Sequence, residues 1–247
     1  MKRTALMGFL FLVTFAHPPK KIRVWLIGDS TMANKEIKAY PETGWGMPFR
    51  YFFDSTIDVD NRAKNGRSTQ SFLDEGLWQP VVDNLSEGDY VFIQFGHNDE
   101  IPTKKTYTTP DQFKTNLIRY VNETRNKKAI PVLITPVARR KFDSSGHVVG
   151  THETYSQIVR DVALKLNAVL IDLDKKSQVL LGQFGVENSK LLYNHLQPGE
   201  HPNYPKGNAD DTHFSELGAR KMAEIVLQEI RNLNLGLADH IYRPITK

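Results

Sequence analysis

Four short segments, far apart in the chain, carry residue types that can do chemistry together. They are Gly28-Asp29-Ser30-Thr31, Asn65-Gly66-Arg67-Ser68, Gly96-His97-Asn98-Asp99 and Asp210-Asp211-Thr212-His213. Between them they offer a serine hydroxyl, an imidazole, carboxylates, a glycine amide that no side chain screens, and a side-chain amide. That is the inventory for acyl transfer by a nucleophilic serine: an attacking hydroxyl, a base, a group that orients the base, and donors for a developing oxyanion.

The elements around these segments place them usefully. Ile22 to Ile27, Ile57 to Ala63, Tyr90 to Phe95, Ile130 to Thr135 and Val169 to Leu173 read as strands, being short, apolar or alternating, and rich in β-branched residues. Helical stretches lie between them. One runs around Trp45 to Phe53, and one starts at Ser68 and stops at Gly76. A turn or two ends at Leu85. Longer ones run from Pro110 to Asn126, Glu153 to Leu166 and Asp174 to Phe184, and the last runs from Ser215 to about Leu233. Strands alternating with helices imply a mainly parallel sheet covered on both faces. Residues 141 to 152 contain a turn at Asp143-Ser144-Ser145-Gly146 and read as a small hairpin. Residues 185 to 212 form a long connection rich in Asn, Pro, Gly and His, and a loop of that length is usually functional.

The first three segments directly follow strands, where open α/β sheets place their sites. Alone, each has an ordinary reading: Ser30 as a helix cap, Asn65-Gly66 as a turn, Asn98 or Asp99 as a cap. In the chemical reading Ser30 is the nucleophile, and Gly66 and Asn98 donate to the oxyanion. His213 takes the serine proton. Asp210, three residues before it, orients the imidazole, with Asp211 as the adjacent alternative. Gly28-Asp29-Ser30-Thr31-Met32 lacks the second glycine of a nucleophile elbow and so does not fit the α/β-hydrolase pattern.

All four segments in this order resemble the SGNH, or GDSL-like, hydrolase superfamily. The resemblance covers nearly the whole chain past the leader. It implies catalytic Ser30, Asp210 and His213, and an oxyanion hole built from the Ser30 amide, Gly66 and Asn98. It also implies a three-layer α/β/α sandwich whose five-stranded parallel sheet has flavodoxin-like order. Within the superfamily, Gly28-Asp29-Ser30-Thr31, Asn65-Gly66-Arg67-Ser68-Thr69, Phe95-Gly96-His97-Asn98-Asp99 and Asp210-Asp211-Thr212-His213-Phe214 are similar to the rhamnogalacturonan acetylesterases. The implied activity is a serine esterase that removes acetyl groups from pectic polysaccharide through an acetyl-enzyme. The alternative is an acyl hydrolase for other esters, such as acetylated xylan, a lipid or a thioester. A carbohydrate-binding module that kept the fold would not need the complete set.

Composition narrows the reading. The 247 residues suffice for one α/β domain. Lys2 and Arg3 precede an apolar run from Ala5 to Ala16, short for a membrane span and suited to a signal peptide. Cleavage after Ala16 leaves residues 17–247 as a single SGNH-type domain, secreted or periplasmic and free of the membrane. The net charge of +4 falls to +2 without Lys2 and Arg3, which does not suit nucleic acid. The absence of cysteine excludes disulfides, thiol chemistry and a cysteine-linked lipid. His147 and His152, or His195 and His201, do not match metal-site spacing, so no metal or cofactor is expected. Oligomeric state is not set by these features.

The segments expected to rim the site, Arg67, His97, Lys104-Lys105, Arg139-Arg140-Lys141 and His195 to Lys206, are polar rather than lipid-like. Arg67, His97, Arg139, Arg140 and Tyr204 are the expected substrate-binding residues; cationic and imidazole groups suit an acidic, galacturonate-bearing chain. Tyr204, Trp45 and Trp78 could stack on sugar faces, with Trp78 reading rather as a core residue.

Overall fold

A computed structural model describes residues 21–242. The signal peptide expected over residues 1–16 lies outside the described residues. Five parallel strands, β1 (Ile22–Gly28), β2 (Ile57–Asn61), β3 (Tyr90–Gln94), β4 (Ile130–Ile134) and β5 (Val169–Ile171), form one sheet in the order β2-β1-β3-β4-β5. This is the expected flavodoxin-like order. The helices are α1 (Gly46–Phe49), α2 (Thr69–Asp74), α3 (Gln79–Asn84), α4 (Pro110–Asn126), α5 (Glu153–Leu166), α6 (Leu173–Asn188) and α7 (Glu216–Asn232). Helix α6 is broken at Gly185, whose φ of 70° lies in the left-handed region, so the expected end at Phe184 corresponds to that break. Among the described residues no helix is long and apolar enough to cross a membrane.

The sheet is buried on both faces because its strands carry apolar residues at both parities. Val24, Leu26, Tyr90 and Phe92 face the layer formed by α1, α6 and α7. Trp25, Ile27, Val91 and Ile93 face the layer of α2 to α5. Helix α7 shows the pattern well: Ala219, Met222, Ala223, Val226 and Ile230 recur at helical spacing and are fully buried. Each large side chain buried this way contributes about 1.5–3 kcal/mol. Ser68, Thr109 and Ser215 cap α2, α4 and α7 with their side chains.

Two expectations differ from the structure. The helix expected over Trp45 to Phe53 is a single turn, α1, followed by a 3-10 turn over Arg50–Phe52. The connection of residues 185–212 is not all loop. It contains β6 (Tyr193–Leu196), which pairs antiparallel with β7 (Asn208–Phe214). Polar composition hid this hairpin, since neither strand shows an apolar alternation.

Candidate active site

The first segment is held by a buried polar chain. Trp45 Nε1 donates to Gln94 Oε1 at 2.7 Å, Gln94 Nε2 donates to Thr31 Oγ1 at 2.6 Å, and Thr31 Oγ1 donates to Asp29 Oδ1 at 2.8 Å. The Thr31 amide donates to the same carboxylate oxygen at 3.0 Å. Burial pushes the Asp29 carboxyl up, and the hydrogen bonds from Thr31 oppose it. This chain explains the one polar residue in β3. It also corrects one expectation: Trp45 is fully buried and serves the turn, so it does not stack on substrate. Trp78 is buried as well. Gly28 is needed for space, because a Cβ there would lie 2.4 Å from the Gln94 carbonyl oxygen. Gly66 is needed for backbone freedom; its φ is +77°, and an added Cβ would meet open space.

Ser30 and His213 lie 183 positions apart in sequence, and Ser30 Oγ sits 2.9 Å from His213 Nε2. The other ring nitrogen, His213 Nδ1, lies 2.8 Å from Asp210 Oδ2. The Asp210 Oδ1 atom accepts the backbone amides of Thr212 and His213 at 2.7 and 3.0 Å. Burial would raise the Asp210 carboxyl, but the bonds from His213 and from these amides prevail and hold it at about 2. The three-residue spacing from Asp210 to His213 would also suit a turn or a helix start. The segment is a bulge in β7. Between the pairs Tyr193↔Phe214 and His195↔Ala209, two steps along β6 face five along β7. The extra residues swing out and carry Asp210 and His213 toward Ser30.

The second and third segments are joined to each other. Asn98 Nδ2 donates to the Arg67 carbonyl at 3.0 Å. Asp99 Oδ1 accepts the Thr69 amide at 2.8 Å and the Thr69 hydroxyl at 2.6 Å, at the start of α2. Burial pushes the Asp99 carboxyl up to about 7 against those hydrogen bonds. Lys35 joins the first segment to the second. Its fully buried ammonium donates to the Ser30 carbonyl at 2.6 Å and to Asn65 Oδ1 at 3.0 Å, and pairs with Glu42 Oε1 at 2.6 Å. Three acceptors satisfy its three hydrogens.

These residues open on a cleft of about 420 Å³ lined by Ser30, Glu42, Asn65, Gly66, His97, Asn98, Lys104, Arg139, Thr212 and His213. The structure therefore brings together Ser30, His213, Gly66 and Asn98 on one wall system, with Asp210 directly behind His213. Of the expected substrate-binding residues, His97 and Arg139 line the cleft and three do not. Arg67 turns its guanidinium to Glu75 Oε2, at 2.7 Å, and to the Asn65 carbonyl, at 2.8 Å. Arg140 binds Asp211 at 2.9 Å, Ser189 at 3.0 Å and the Val186 carbonyl at 2.5 Å. Tyr204 donates its hydroxyl to the Ala39 carbonyl at 2.9 Å. Each of these groups is occupied by the fold.

His97 lines the cleft as a buried ring, packed edge-on against His152 at 4.3 Å. Burial first, then the charges of His152 and Arg139, hold its pKa well below the usual histidine range. It therefore lines the cleft as a neutral imidazole and supplies no cation to substrate. Arg139 does bring charge. It pairs with Glu100 Oε1 at 2.9 Å, and Glu100 Oε2 also holds His152 Nδ1 at 2.8 Å. Lys104 lines the cleft, where the sequence places it on the rim, whereas sequence reasoning missed Lys35 and Glu42 at the site. These two lie in a connection without periodicity, and nothing local marks a loop lysine as buried or anchored. Among the described residues no group of three or more His, Asp or Glu side chains is arranged to hold a metal ion.

The chain is similar to known proteins. The model of the GDSL-like lipase/acylhydrolase family matches residues 26–221. Rhamnogalacturonan acetylesterase RhgT of Bacillus subtilis (strain 168) is 43% identical over 223 residues, covering 90% of this chain and 95% of that protein. Probable rhamnogalacturonan acetylesterase YesY of the same organism is 34% identical over 226 residues, covering 89% of this chain and 97% of that protein. The crystal structure of protein YxiM from Bacillus subtilis matches with a TM-score of 0.76 at 25% identity, over 88% of this chain and 58% of that one.

Proposed function

The chain belongs to the GDSL-like lipase/acylhydrolase family, and from that membership we propose that it is a serine esterase removing acetyl groups from rhamnogalacturonan, a pectic polysaccharide. The observation that carries the reading is the relay Ser30–His213–Asp210, opening on a cleft that Gly66 and Asn98 also line. The 43% identity to a protein named as a rhamnogalacturonan acetylesterase supports the substrate.

In this reading Ser30 Oγ attacks the acetyl carbonyl carbon while its proton passes to His213 Nε2. The tetrahedral oxyanion is received by the Ser30 and Gly66 amides and by Asn98 Nδ2. The imidazolium, steadied by ionised Asp210, returns the proton to the departing sugar hydroxyl, leaving an acetyl-enzyme. Water then adds to the acetyl group with His213 as base, and acetate leaves as the Ser30 hydroxyl re-forms.

The cleft walls favour a carbohydrate ester over a lipid. Glu42, Asn65, His97, Lys104 and Arg139 line it, and among the described residues that line it there is no aliphatic stripe to take an acyl tail. The leader of Lys2, Arg3 and the apolar run to Ala16 supports export, as suits a polymer outside the cell. Acetate release from acetylated rhamnogalacturonan, acetylated xylan and medium-chain nitrophenyl esters tests the substrate. The pectic polymer should be the preferred substrate. Ser30→Ala should lose activity on all of them by roughly 10⁴–10⁶ with unchanged circular dichroism. A higher kcat/KM on the medium-chain ester would replace the carbohydrate reading with the lipid one.

A further inference from the structure

The Asn98 side chain is held at both ends. Its Nδ2 donates to the Arg67 carbonyl at 3.0 Å, and its Oδ1 accepts from the Lys104 ammonium at 2.7 Å. An amide has a donor end and an acceptor end of nearly the same shape. Turned over by half a rotation, Asn98 would set its oxygen against the Arg67 carbonyl oxygen and its NH₂ against the Lys104 ammonium. Both contacts would then repel. The two partners together fix which end is which. They leave the second Nδ2 hydrogen with no acceptor among the described residues, on a side chain that lines the cleft beside Ser30 and Gly66.

Lys104 is delivered from a braced loop. Its amide donates to the Ile101 carbonyl at 3.0 Å, and its carbonyl accepts the Tyr107 amide at 3.1 Å. The far end of the loop is tied back by the Thr108 amide on the Asp99 carbonyl at 3.0 Å and by the Tyr155 hydroxyl on the Thr108 carbonyl at 2.6 Å. Among the described residues Lys104 forms no ion pair. A long cationic side chain gives up rotamer freedom here to sit on a neutral amide oxygen. Its charge draws electron density from the amide and makes the remaining N–H a stronger donor.

We propose that Lys104 is a positioning residue for the oxyanion hole, locking the Asn98 amide with its free N–H toward the developing charge and polarising it. The inference rests on Asn98 being an oxyanion donor, as proposed above. It predicts an effect on kcat rather than on substrate affinity, and an effect that vanishes when Asn98 is absent.

The test is steady-state kinetics on 4-nitrophenyl acetate, a neutral ester, for Asn98→Ala, Lys104→Met, Lys104→Arg and the Asn98→Ala/Lys104→Met double variant. Thermal unfolding checks that each folds. Asn98→Ala should lower kcat by about 10²–10³. Lys104→Met should lower it about tenfold with KM nearly unchanged, a smaller loss because the donor stays but is no longer locked. Lys104→Arg should restore most of the rate. In the Asn98→Ala background, Lys104→Met should add no further loss. A wild-type kcat for Lys104→Met, or an undiminished loss in the Asn98→Ala background, overturns the inference while the esterase reading stands. A Lys104→Met effect confined to KM on an acidic polymer also overturns it, since Lys104 would then read substrate charge. Near-wild-type activity in Asn98→Ala would overturn the oxyanion reading itself, and this inference with it.

Discussion

Asp210 and Asp211 are neighbours in sequence but turn their carboxylates to different partners. Asp210 Oδ2 lies 2.8 Å from His213 Nδ1, whereas Asp211 Oδ1 takes Arg140 Nη1 at 2.9 Å and His195 Nε2 at 2.8 Å. In a regular strand Asp211, two residues before His213, would share its face; the bulge in β7 breaks that alternation and brings Asp210 behind the imidazole. Spacing alone leaves both aspartates as candidates; the bulge separates them.

The kinetic consequence is a large asymmetry. Asp210→Asn should reduce kcat by roughly 10³–10⁴, because an amide in place of the carboxylate favours the wrong imidazole tautomer. Asp211→Asn should leave kcat within a few-fold of wild type and show its effect in thermal stability instead. Steady-state rates of the two variants on one ester decide the matter. Equal losses, or the reverse ranking, would move the orienting role away from Asp210.

Asp99 gives the protein a signed pH dependence of stability. Burial raises its carboxyl from the ordinary aspartate value of 3.8 to about 7 in the fold. Between those values the folded state binds the proton that the unfolded chain has lost. The contribution is therefore fully present below about pH 4 and is lost as pH rises toward 7, at up to about 1.4 kcal/mol per pH unit. Asp99→Asn cannot ionise and keeps an oxygen for the Thr69 donors. Urea unfolding at several pH values should show wild-type stability falling relative to the variant as pH climbs from 4 to about 7. Parallel curves would mean that Asp99 titrates near its unfolded value.

Lys35 and Glu42 form a pair whose cost appears only when one partner is removed. The Lys35 side chain is wholly buried and that of Glu42 is 16% exposed. Lys35→Met should destabilise the fold by about 3 kcal/mol, by leaving a carboxylate unpaired in a low-dielectric site. It should also loosen the Ser30 loop from Asn65 and so lower kcat. Adding Glu42→Gln to Lys35→Met should recover part of the stability without recovering the rate. Chemical denaturation of the single and double variants, set beside their kcat values, separates the two effects.

Where the sequence was legible, one chemical signal sat on one structural element. Strand runs such as Tyr90 to Phe95 and capped helices such as the one from Pro110 to Asn126 need only local information. The Ser30, Gly66 and Asn98 segments are legible because each follows a strand, and the Asp210–His213 segment because its residue types complete the set. The β6–β7 hairpin was not visible, since Asn208 to Phe214 reads as polar coil until its partner is known. The substrate-binding expectation leaned on charge, and charge alone does not say what a side chain already holds. Arg67 and Arg140 are cationic and near the site, yet Glu75 and Asp211 claim them first.

The two arginines after β4 should therefore part ways. Arg139 lines the cleft with its side chain 25% exposed, while the Arg140 side chain is 10% exposed and ties β7 to Ser189 and the Val186 carbonyl. Arg139→Ala should raise KM for an acidic acetylated polymer several-fold, or about 1 kcal/mol, since a partly exposed ion pair with a uronate is weak and Glu100 already offsets some of the charge. The loss should fall more heavily on that polymer than on a neutral acetyl ester, and added salt should narrow the gap by screening. Arg140→Ala should instead lower the unfolding free energy by about 1–3 kcal/mol through lost hydrogen bonds and an unpaired Asp211. Its KM ratio between charged and neutral substrates should stay at the wild-type value. Measuring that ratio for both variants at low and high salt tests the division. A salt-sensitive, polymer-specific KM change in Arg140→Ala would mean that its guanidinium leaves Asp211 to meet the substrate.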